Sequence, residues 1–262
     1  MQPSVLITGA SGGFGYEFAR RIEPLGYRLI LHGRDLPRLQ LTLNALKQPA
    51  KHRCITADLT SDDELNRLID KIRQETGLEG VVNNAGFGLW GLFHHREIIA
   101  QLDVLCTDLN APVALTHALL PQLIRHNGFL INVSSLAGES PLPYMSTYAA
   151  AKAGLTYWSE ALRAELTGQV RVVTLAPGPS PTGFRDISGM PKGTGSFFRT
   201  PSSVVVQAAL DRLEKGGGYC VPGMRHKLLY TLQRIVPRRL ALRIMHRQMG
   251  ASNRRYPGSF SS

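Results

Sequence analysis

The stretch "PSVLITGASGGFG", residues 3–15, decides the fold. Val5, Leu6 and Ile7 read as a short strand, a glycine-rich turn follows, and helical periodicity sets in over 17–25. Glycines at a strand-to-helix junction allow a tight bend and let backbone N–H groups approach a pyrophosphate, which the helix N-terminus then stabilises electrostatically. A turn that is tight for structural reasons alone has the same composition. The spacing from Thr8 to Gly15 is T-G-x-x-x-G-x-G, which differs from the longer-established G-x-G-x-x-G fingerprint.

Working outward, the alternation continues. "YRLILHGRD" (27–35) reads as a strand with Asp35 capping a helix over 36–47. "HRCITADLT" (52–60) is a third strand, and the helix over 61–76 carries Leu65, Leu68, Ile69 and Ile72 on one face. A strand over 80–83, a long helical region over 97–125, a strand in "FLINVSS" (129–135) and a helix over 147–166 come next. "VRVVTLAPG" (170–178) and "GYCVPG" (218–223) supply the last two strands, and 178–200 is the long irregular stretch. Strands alternating with helices of this length form βαβ crossovers. Their continuous apolar runs suit a parallel sheet covered on both faces.

The chain has 262 residues, 43% of them hydrophobic and 19% charged, a composition that excludes extended disorder and suits one large domain. The apolar runs read as too short to span a bilayer, and residues 1–8 lack the basic start of a signal peptide, which points to the cytoplasm. Cys54, Cys106 and Cys220 are far apart and in no metal-ligand spacing, so free thiols and no metal site are expected. The net charge of +11 is unevenly placed. Residues 215–262 hold ten Lys and Arg and no acid, so the remainder of the chain is nearly neutral.

In "STYAAAKAG" (146–154) an alanine-rich helix sets Tyr148 and Lys152 one turn apart on one face. A buried tyrosine beside a surface lysine would look the same. The chain also carries "NNAG" at 83–86, "NVSS" at 132–135 and "PG" at 177–178. In these motifs, their order and their spacing, residues 3–222 closely resemble the short-chain dehydrogenase/reductase family.

The resemblance implies an α/β fold: a Rossmann-type doubly wound parallel sheet of about seven strands with helices on both faces, followed by a C-terminal helical extension. Residues 1–222 would form a single dinucleotide-binding and catalytic domain, and 223–262 a basic amphipathic extension. It further implies an oxidoreductase that interconverts a carbonyl and an alcohol by hydride transfer. Tyr148 would be the general acid/base, with Lys152 lowering its pKa and holding the nicotinamide ribose. Ser135 would orient the substrate oxygen, in preference to Ser134 on spacing, and Asn110, in "DLNAPVALT", would support a proton relay to the lysine. The cofactor would meet Thr8, Gly9, Ser11, Gly13, Phe14 and Gly15 in the first turn, and Asp58 and Leu59 at the adenine edge. Asn84, Ala85 and Gly86 would approach the adenosine ribose, with Asn83 stabilising the sheet, and Pro177, Gly178 and Thr182 would meet the nicotinamide.

The second strand ends His32-Gly33-Arg34-Asp35. Arg34 beside a 2′-phosphate favours NADP(H) over NAD(H), with Asp35 as a helix cap; the opposite assignment sets Asp35 on the ribose. "FGLWGLF" (87–93) and "PLPY" (141–144) suggest a hydrophobic ketone, aldehyde or acyl-chain carbonyl, or the matching alcohol, although core or a dimer contact explains the same residues. The resemblance implies a homodimer or homotetramer packed through 97–125 and 147–166. Beyond Gly223, two short amphipathic helices are expected, with Pro237 starting the second. Leu228, Leu229, Leu232, Ile235 and Val236 form one stripe, Leu240, Ile244 and Met245 another, and Arg239, Arg243 and Arg247 the opposite face of the second helix. Packing over the cleft or another subunit, peripheral membrane contact through 223–255, and nucleic-acid binding compete as roles, the last without any recognised motif. A catalytically idle NADP(H)-binding sensor or scaffold is the alternative to an enzyme.

Overall fold

A computed structural model describes residues 2–191 and 199–255. Seven parallel strands form one sheet in the order β3-β2-β1-β4-β5-β6-β7. They are β1 (Ser4–Ile7), β2 (Arg28–Gly33), β3 (Arg53–Thr56), β4 (Leu78–Asn83), β5 (Phe129–Val133), β6 (Arg171–Leu175) and β7 (Gly218–Cys220). The order reverses between β1 and β4, so the crossovers diverge there and leave a crevice at the carboxyl ends of the strands. The helices α1 (Gly13–Ile22), α2 (Leu36–Asn44), α3 (Asp62–Arg73), α4 (Ile98–Leu105), α5 (Ala111–Arg125), α6 (Ser146–Glu165), α7 (Phe184–Ser188), α8 (Ser202–Glu214), α9 (Met224–Ile235) and α10 (Arg238–Arg255) complete the chain.

Alternate strand residues feed opposite cores, as the pleat requires. Val5, Ile7, Leu29 and Leu31 pack with Phe18 and Ile22 of α1 and Val205 and Val206 of α8. Leu6, Ile30, Val81 and Leu130 pack with Leu68 and Ile72 of α3 and Leu115 and Leu119 of α5. The helix over 202–214, for which the sequence carried no expectation, closes the first layer.

Local signals account for several boundaries. The Asp35 carboxylate accepts the Arg38 N–H at 3.0 Å and starts α2, while the Ser61 hydroxyl accepts the Glu64 N–H at 3.4 Å and starts α3. The stretch 178–200 is less irregular than expected, because α7 lies inside it; residues 192–198 fall outside the described residues. The second C-terminal helix is long, Arg238–Arg255, rather than short. The region Ile98–Arg125 is one continuous helical path of 28 residues whose most apolar 18-residue window has mean hydropathy 1.3, long and apolar enough to cross a membrane by composition. This corrects the expectation that no such run exists. Here its α5 part lies against the sheet through Leu115, Leu119 and Leu123.

Within that path, Cys106–Asn110 form one π turn, and the Ala111 N–H bonds to the Cys106 carbonyl instead of one residue nearer. Pro112 supplies the cause. It has no N–H to give to the Asp108 carbonyl, and its ring would crowd that oxygen, so the helix widens.

A polar chain threads the apolar layer. Asn83 Nδ2 donates to Thr116 Oγ1 at 3.0 Å and to Asn132 Oδ1 at 2.9 Å, and Asn132 Nδ2 donates to Ser159 Oγ at 2.9 Å. Ser159 Oγ lies 2.7 Å from Thr174 Oγ1, which donates to Glu160 at 2.6 Å. Both asparagines are buried, and their Nδ2 donors find partners within this chain, whereas Asn83 Oδ1 has none among the described residues. Asn132→Ala removes two of these bonds, taking one partner each from Asn83 and Ser159. Urea unfolding should show a loss of about 2–4 kcal/mol, since an unsatisfied buried group costs roughly 1–3 kcal/mol; a change below about 0.5 kcal/mol, the level of an indifferent surface substitution, would contradict the network's role.

Candidate active site

A cavity of ≈ 1960 Å³ runs along the carboxyl ends of the strands. Its floor begins at the first turn, where Gly9 and Gly13 adopt φ +64° and +55°, conformations that side chains rarely tolerate. Gly9, Ser11, Gly13 and Phe14 line the cavity, joined by Gly12. Thr182 closes over the turn, since a Cβ on Gly13 would sit 3.1 Å from its side chain.

Thr8 and Gly15 lie behind this wall. The Thr8 hydroxyl accepts the N–H groups of Asn84 and Ala85, both at 3.0 Å, and Asn84 Nδ2 donates to the Thr8 and Gly9 carbonyls at 2.9 and 3.0 Å. A Cβ on Gly15 would meet the Gly9 carbonyl oxygen at 2.2 Å. These two residues therefore brace the turn against the loop after β4, a correction to their assignment as cofactor contacts. Asn84, Ala85 and Gly86 do line the cavity.

At the end of β2, Arg34, Asp35 and Arg38 line one extremity, with Asp58 and Leu59 opposite. Asp35 is occupied as the α2 cap. Arg34 Nη1 lies 3.8 Å from Asp58 Oδ2, and its guanidinium stands 5.9 Å from the Phe87 ring centroid. Partial burial works against the Asp58 carboxylate, but two hydrogen bonds from Thr60 and the nearby Arg34 hold its pKa below the usual range. His32, unassigned from the sequence, also reaches this wall. Burial lowers its pKa to about 4, its Nε2 bonds to the Ala57 carbonyl at 3.1 Å, and Nδ1 has no partner among the described atoms. A neutral ring donating through Nε2 leaves Nδ1 as an acceptor.

The far half of the cavity holds the chemistry. Ser135 follows the end of β5; its hydroxyl accepts the Ala137 N–H at 3.1 Å and lines the cavity together with Tyr148. The Ser134 hydroxyl is spent on the Lys152 carbonyl at 2.9 Å and on Thr156 at 2.6 Å. Tyr148 and Lys152 do share a face of α6, both buried. Lys152 Nζ donates to the Val133 carbonyl at 2.9 Å and lies 3.1 Å from Asp108 Oδ2, while Asp108 Oδ1 accepts the Phe87 N–H at 2.9 Å.

One expectation is not met at this point. Asn110 is exposed and lines no part of the cavity, and the residue that reaches Lys152 is Asp108, two positions earlier. The π turn forced by Pro112 rotates Asp108 inward, and that proline was the signal that could have found it. Burial pushes the Tyr148 pKa well above the phenol range, the Asp108 charge pushes it further, and the neighbouring Ser135 hydroxyl opposes them only in part.

Pro177, Gly178 and Thr182 line the cavity between these halves. The buried His226 ring lies so close to Gly178 that a Cβ there would meet it at 2.5 Å. The remaining lining is mixed: Leu142, Met145 and Phe184 and, from α10, Met245 and Met249 are apolar, whereas Arg185, Asp186, Arg199 and Arg225 bring charge. Of the two aromatic stretches, Phe87 and Leu142 reach the cavity, whereas Trp90 is fully buried and stacks on Tyr144 at 5.6 Å. The glycine cradle, the leftover His32 acceptor and the buried lysine together fit a nicotinamide dinucleotide.

Comparison with known proteins agrees. A family profile described as short chain dehydrogenase matches residues 3–189. The chain is 33% identical over 179 residues to the ketoacyl reductase HetN of a Nostoc species, covering 67% of this chain and 62% of that protein's length. It is 34% identical over 189 residues to the sulfoacetaldehyde reductase of Chromohalobacter salexigens, covering 70% and 75% of the two chains. A short-chain dehydrogenase from Sphingobium yanoikuyae, solved in complex with NADPH, superposes with a TM-score of 0.79 at 26% identity, covering 88% of this chain and 94% of the other. With the sheet, the glycine turn and the Ser135, Tyr148 and Lys152 cluster in place, this chain belongs to the short-chain dehydrogenase/reductase family.

Proposed function

We propose that the chain is an NADP(H)-dependent oxidoreductase that interconverts a hydrophobic carbonyl and its alcohol. The observation that carries this reading is the convergence of Ser135, Tyr148 and Lys152 on one cavity that also holds Arg34 and Arg38 at the end of β2. When bound, the nicotinamide supplies or accepts hydride. Ser135 and Tyr148 hold the substrate oxygen, and Tyr148 gives it a proton in reduction or takes one in oxidation. Lys152, anchored by the Val133 carbonyl and Asp108, is placed to hold the nicotinamide ribose. The apolar walls, Met245 and Met249 included, exclude water and select an apolar substrate.

The preference for NADP(H) rests on Arg34 and Arg38. The Arg34–Asp58 pair is exposed, with side chains 63% and 38% accessible, and so is weak enough for a 2′-phosphate to displace it. Because Asp35 is held as a cap, its carboxylate is not offered to a ribose hydroxyl. Apolar surface on α4 (Ile98, Ile99, Leu102) and Tyr157 on α6 supports a homodimer or homotetramer packed through those helices.

A separate observation bears on residues 223–255. The face of α10 that holds Met245 and Met249 meets the cavity. On its outer side Leu240 and Ile244 are exposed beside Arg239, Arg243 and Arg247, which revises the expected segregation of apolar from basic faces. Met224, Leu228, Leu232 and Ile235 of α9 are exposed as well. Apolar groups among arginines, with no acid anywhere beyond Glu214, suit an anionic lipid surface. The segment is a cover over the substrate cavity whose outer face rests on such a membrane.

Three outcomes test these readings. Tyr148→Phe should keep NADPH binding, measured by fluorescence, and lower kcat by roughly 10²–10⁴; turnover retained at the unmutated level would contradict the assignment. Arg34→Ala should cost the preference for NADPH over NADH about 10–100-fold, the worth of a charged hydrogen bond at ~1.5–3 kcal/mol; a native preference for NADH would remove the 2′-phosphate reading. The protein should float with phosphatidylglycerol vesicles in a salt-sensitive manner and lose this in the Leu240→Asp, Ile244→Asp variant, whereas no flotation at low salt would overturn the membrane contact.

A further inference from the structure

We propose that Tyr144 is a positioning residue that sets substrate specificity through α10: its ring docks that helix on the domain and so fixes Met245 and Met249 as the wall against which the far end of an apolar substrate lies. The inference rests on the reading of this cavity as the site of a hydrophobic carbonyl.

The backbone at Tyr144 is held out of its ordinary range. Pro143 and Tyr144 are the central pair of a turn that the Met145 N–H closes on the Leu142 carbonyl at 3.2 Å. Tyr144 takes φ +66°, in the left-handed region that glycine or asparagine ordinarily fills at this position of a turn. Among the described residues other than glycine, Asn127 alone shares a positive φ. Strain of this kind persists where the surrounding contacts over-determine it. Here those contacts are the Tyr144 carbonyl, which accepts the Gly91 N–H at 2.9 Å, and two aromatic stacks. The ring lies 5.6 Å from the fully buried Trp90, with planes 19° apart, and 6.0 Å from His246 of α10, again at 19°.

The register of α10 ties this dock to the cavity. Residues four apart share a helix face, so His246 and Gly250 reach Tyr144 together. A Cβ on Gly250 would stand 3.0 Å from the Tyr144 hydroxyl, so the helix comes close there. Met245 and Met249, one position earlier in each turn, lie on the adjoining face and line the cavity. Both pack in one apolar cluster with Tyr144, Trp90 and Tyr148. Tyr144 itself is not among the lining residues, so its effect on a substrate passes through the two methionines.

Leu240, Leu242 and Ile244 of α10 are exposed, so among the described residues the face with Met245, His246 and Gly250 is the one that holds the helix in place. Methionine side chains are flexible and polarisable, which suits a wall for an extended apolar tail. Without the Tyr144 ring the two methionines lose their fixed place and the tail loses its wall, while Ser135 and Tyr148 keep the carbonyl end. A tail contact is equal in the ground and transition states, so its loss raises KM and leaves kcat.

The test joins limited trypsin digestion of the whole protein to ketone kinetics. Arg239, Arg243 and Arg247 lie within α10, so undocking of the helix opens cleavage sites. Tyr144→Gly removes the ring and relieves the backbone; His246→Ala removes the exposed partner alone and leaves the domain core untouched. Each should raise the cleavage rate within 238–255 by about 3–10-fold, the worth of an aromatic stack, whereas Tyr144→Phe, which keeps the stack, should not. In NADPH-dependent reduction, both variants should raise KM for methyl nonyl ketone about tenfold, leave its kcat nearly unchanged, and leave kcat/KM for butanone nearly unchanged. A cleavage rate unmoved by Tyr144→Gly and His246→Ala would overturn the dock. An equal loss on the short and the long ketone would overturn the specificity role, because general damage to the fold does not discriminate by chain length. Turnover of neither ketone by the unmutated protein would overturn the substrate reading and the specificity role with it, while the digestion would still decide whether Tyr144 holds α10.

Discussion

Lys152 carries its ammonium where water does not reach, and an unpaired buried charge is among the costliest things a fold can contain. Three segments distant in sequence meet to satisfy it. The end of β5 offers the Val133 carbonyl, the π turn offers Asp108, and α6 delivers the lysine from one turn beyond Tyr148. The close approach at Gly86 belongs to the same constraint, since any side chain there would strike the pair. Removing one partner leaves the other buried alone, which is why these segments must sit in one register.

The sheet makes that meeting possible. Because strand order reverses at β1 and β4, the loops after these strands part and a dinucleotide-sized crevice opens above them. The polar chain from Thr116 through Asn83, Asn132 and Ser159 to Thr174 ties α5, β4, β5, α6 and β6 together just below the site. That network holds the end of β5 against α6, and with it the distance from Ser135 to Tyr148. On the open side, α9 and α10 wall the cavity with His226, Met245 and Met249.

Strands buried on both faces must be continuously apolar, so β1, β2, β5 and β6 were legible as apolar runs, and the glycine turn marked the first junction. Tyr148 and Lys152 were legible because one regular helix holds them, and regular helices obey a simple period. Asn110 was picked by residue type, as the asparagine the family resemblance implies, and residue type alone does not say that the π turn aims Asp108, two positions earlier, at the lysine. Thr8 was misread because a turn motif names residues without saying which of them face a ligand and which brace the backbone. The helix Ser202–Glu214 gave no clear signal, since three consecutive valines after Pro201 fit a strand as well as a helix, and only packing on α1 settles the matter. His226 and the methionines of α10 come to the cavity from the far end of the chain, a contact that no local pattern encodes.

The account stands on one arrangement: a buried lysine shared between Asp108 and the cofactor, beneath a tyrosine that faces the substrate. A crystal structure with NADPH bound tests it most directly. The account predicts that Lys152 Nζ keeps Asp108 on one side and takes the nicotinamide ribose on the other, with the Tyr148 hydroxyl beside the nicotinamide ring and Asn110 still facing outward. A complex in which Asn110 had replaced Asp108 at the lysine, or in which Tyr148 and Lys152 met no part of the cofactor, would contradict it.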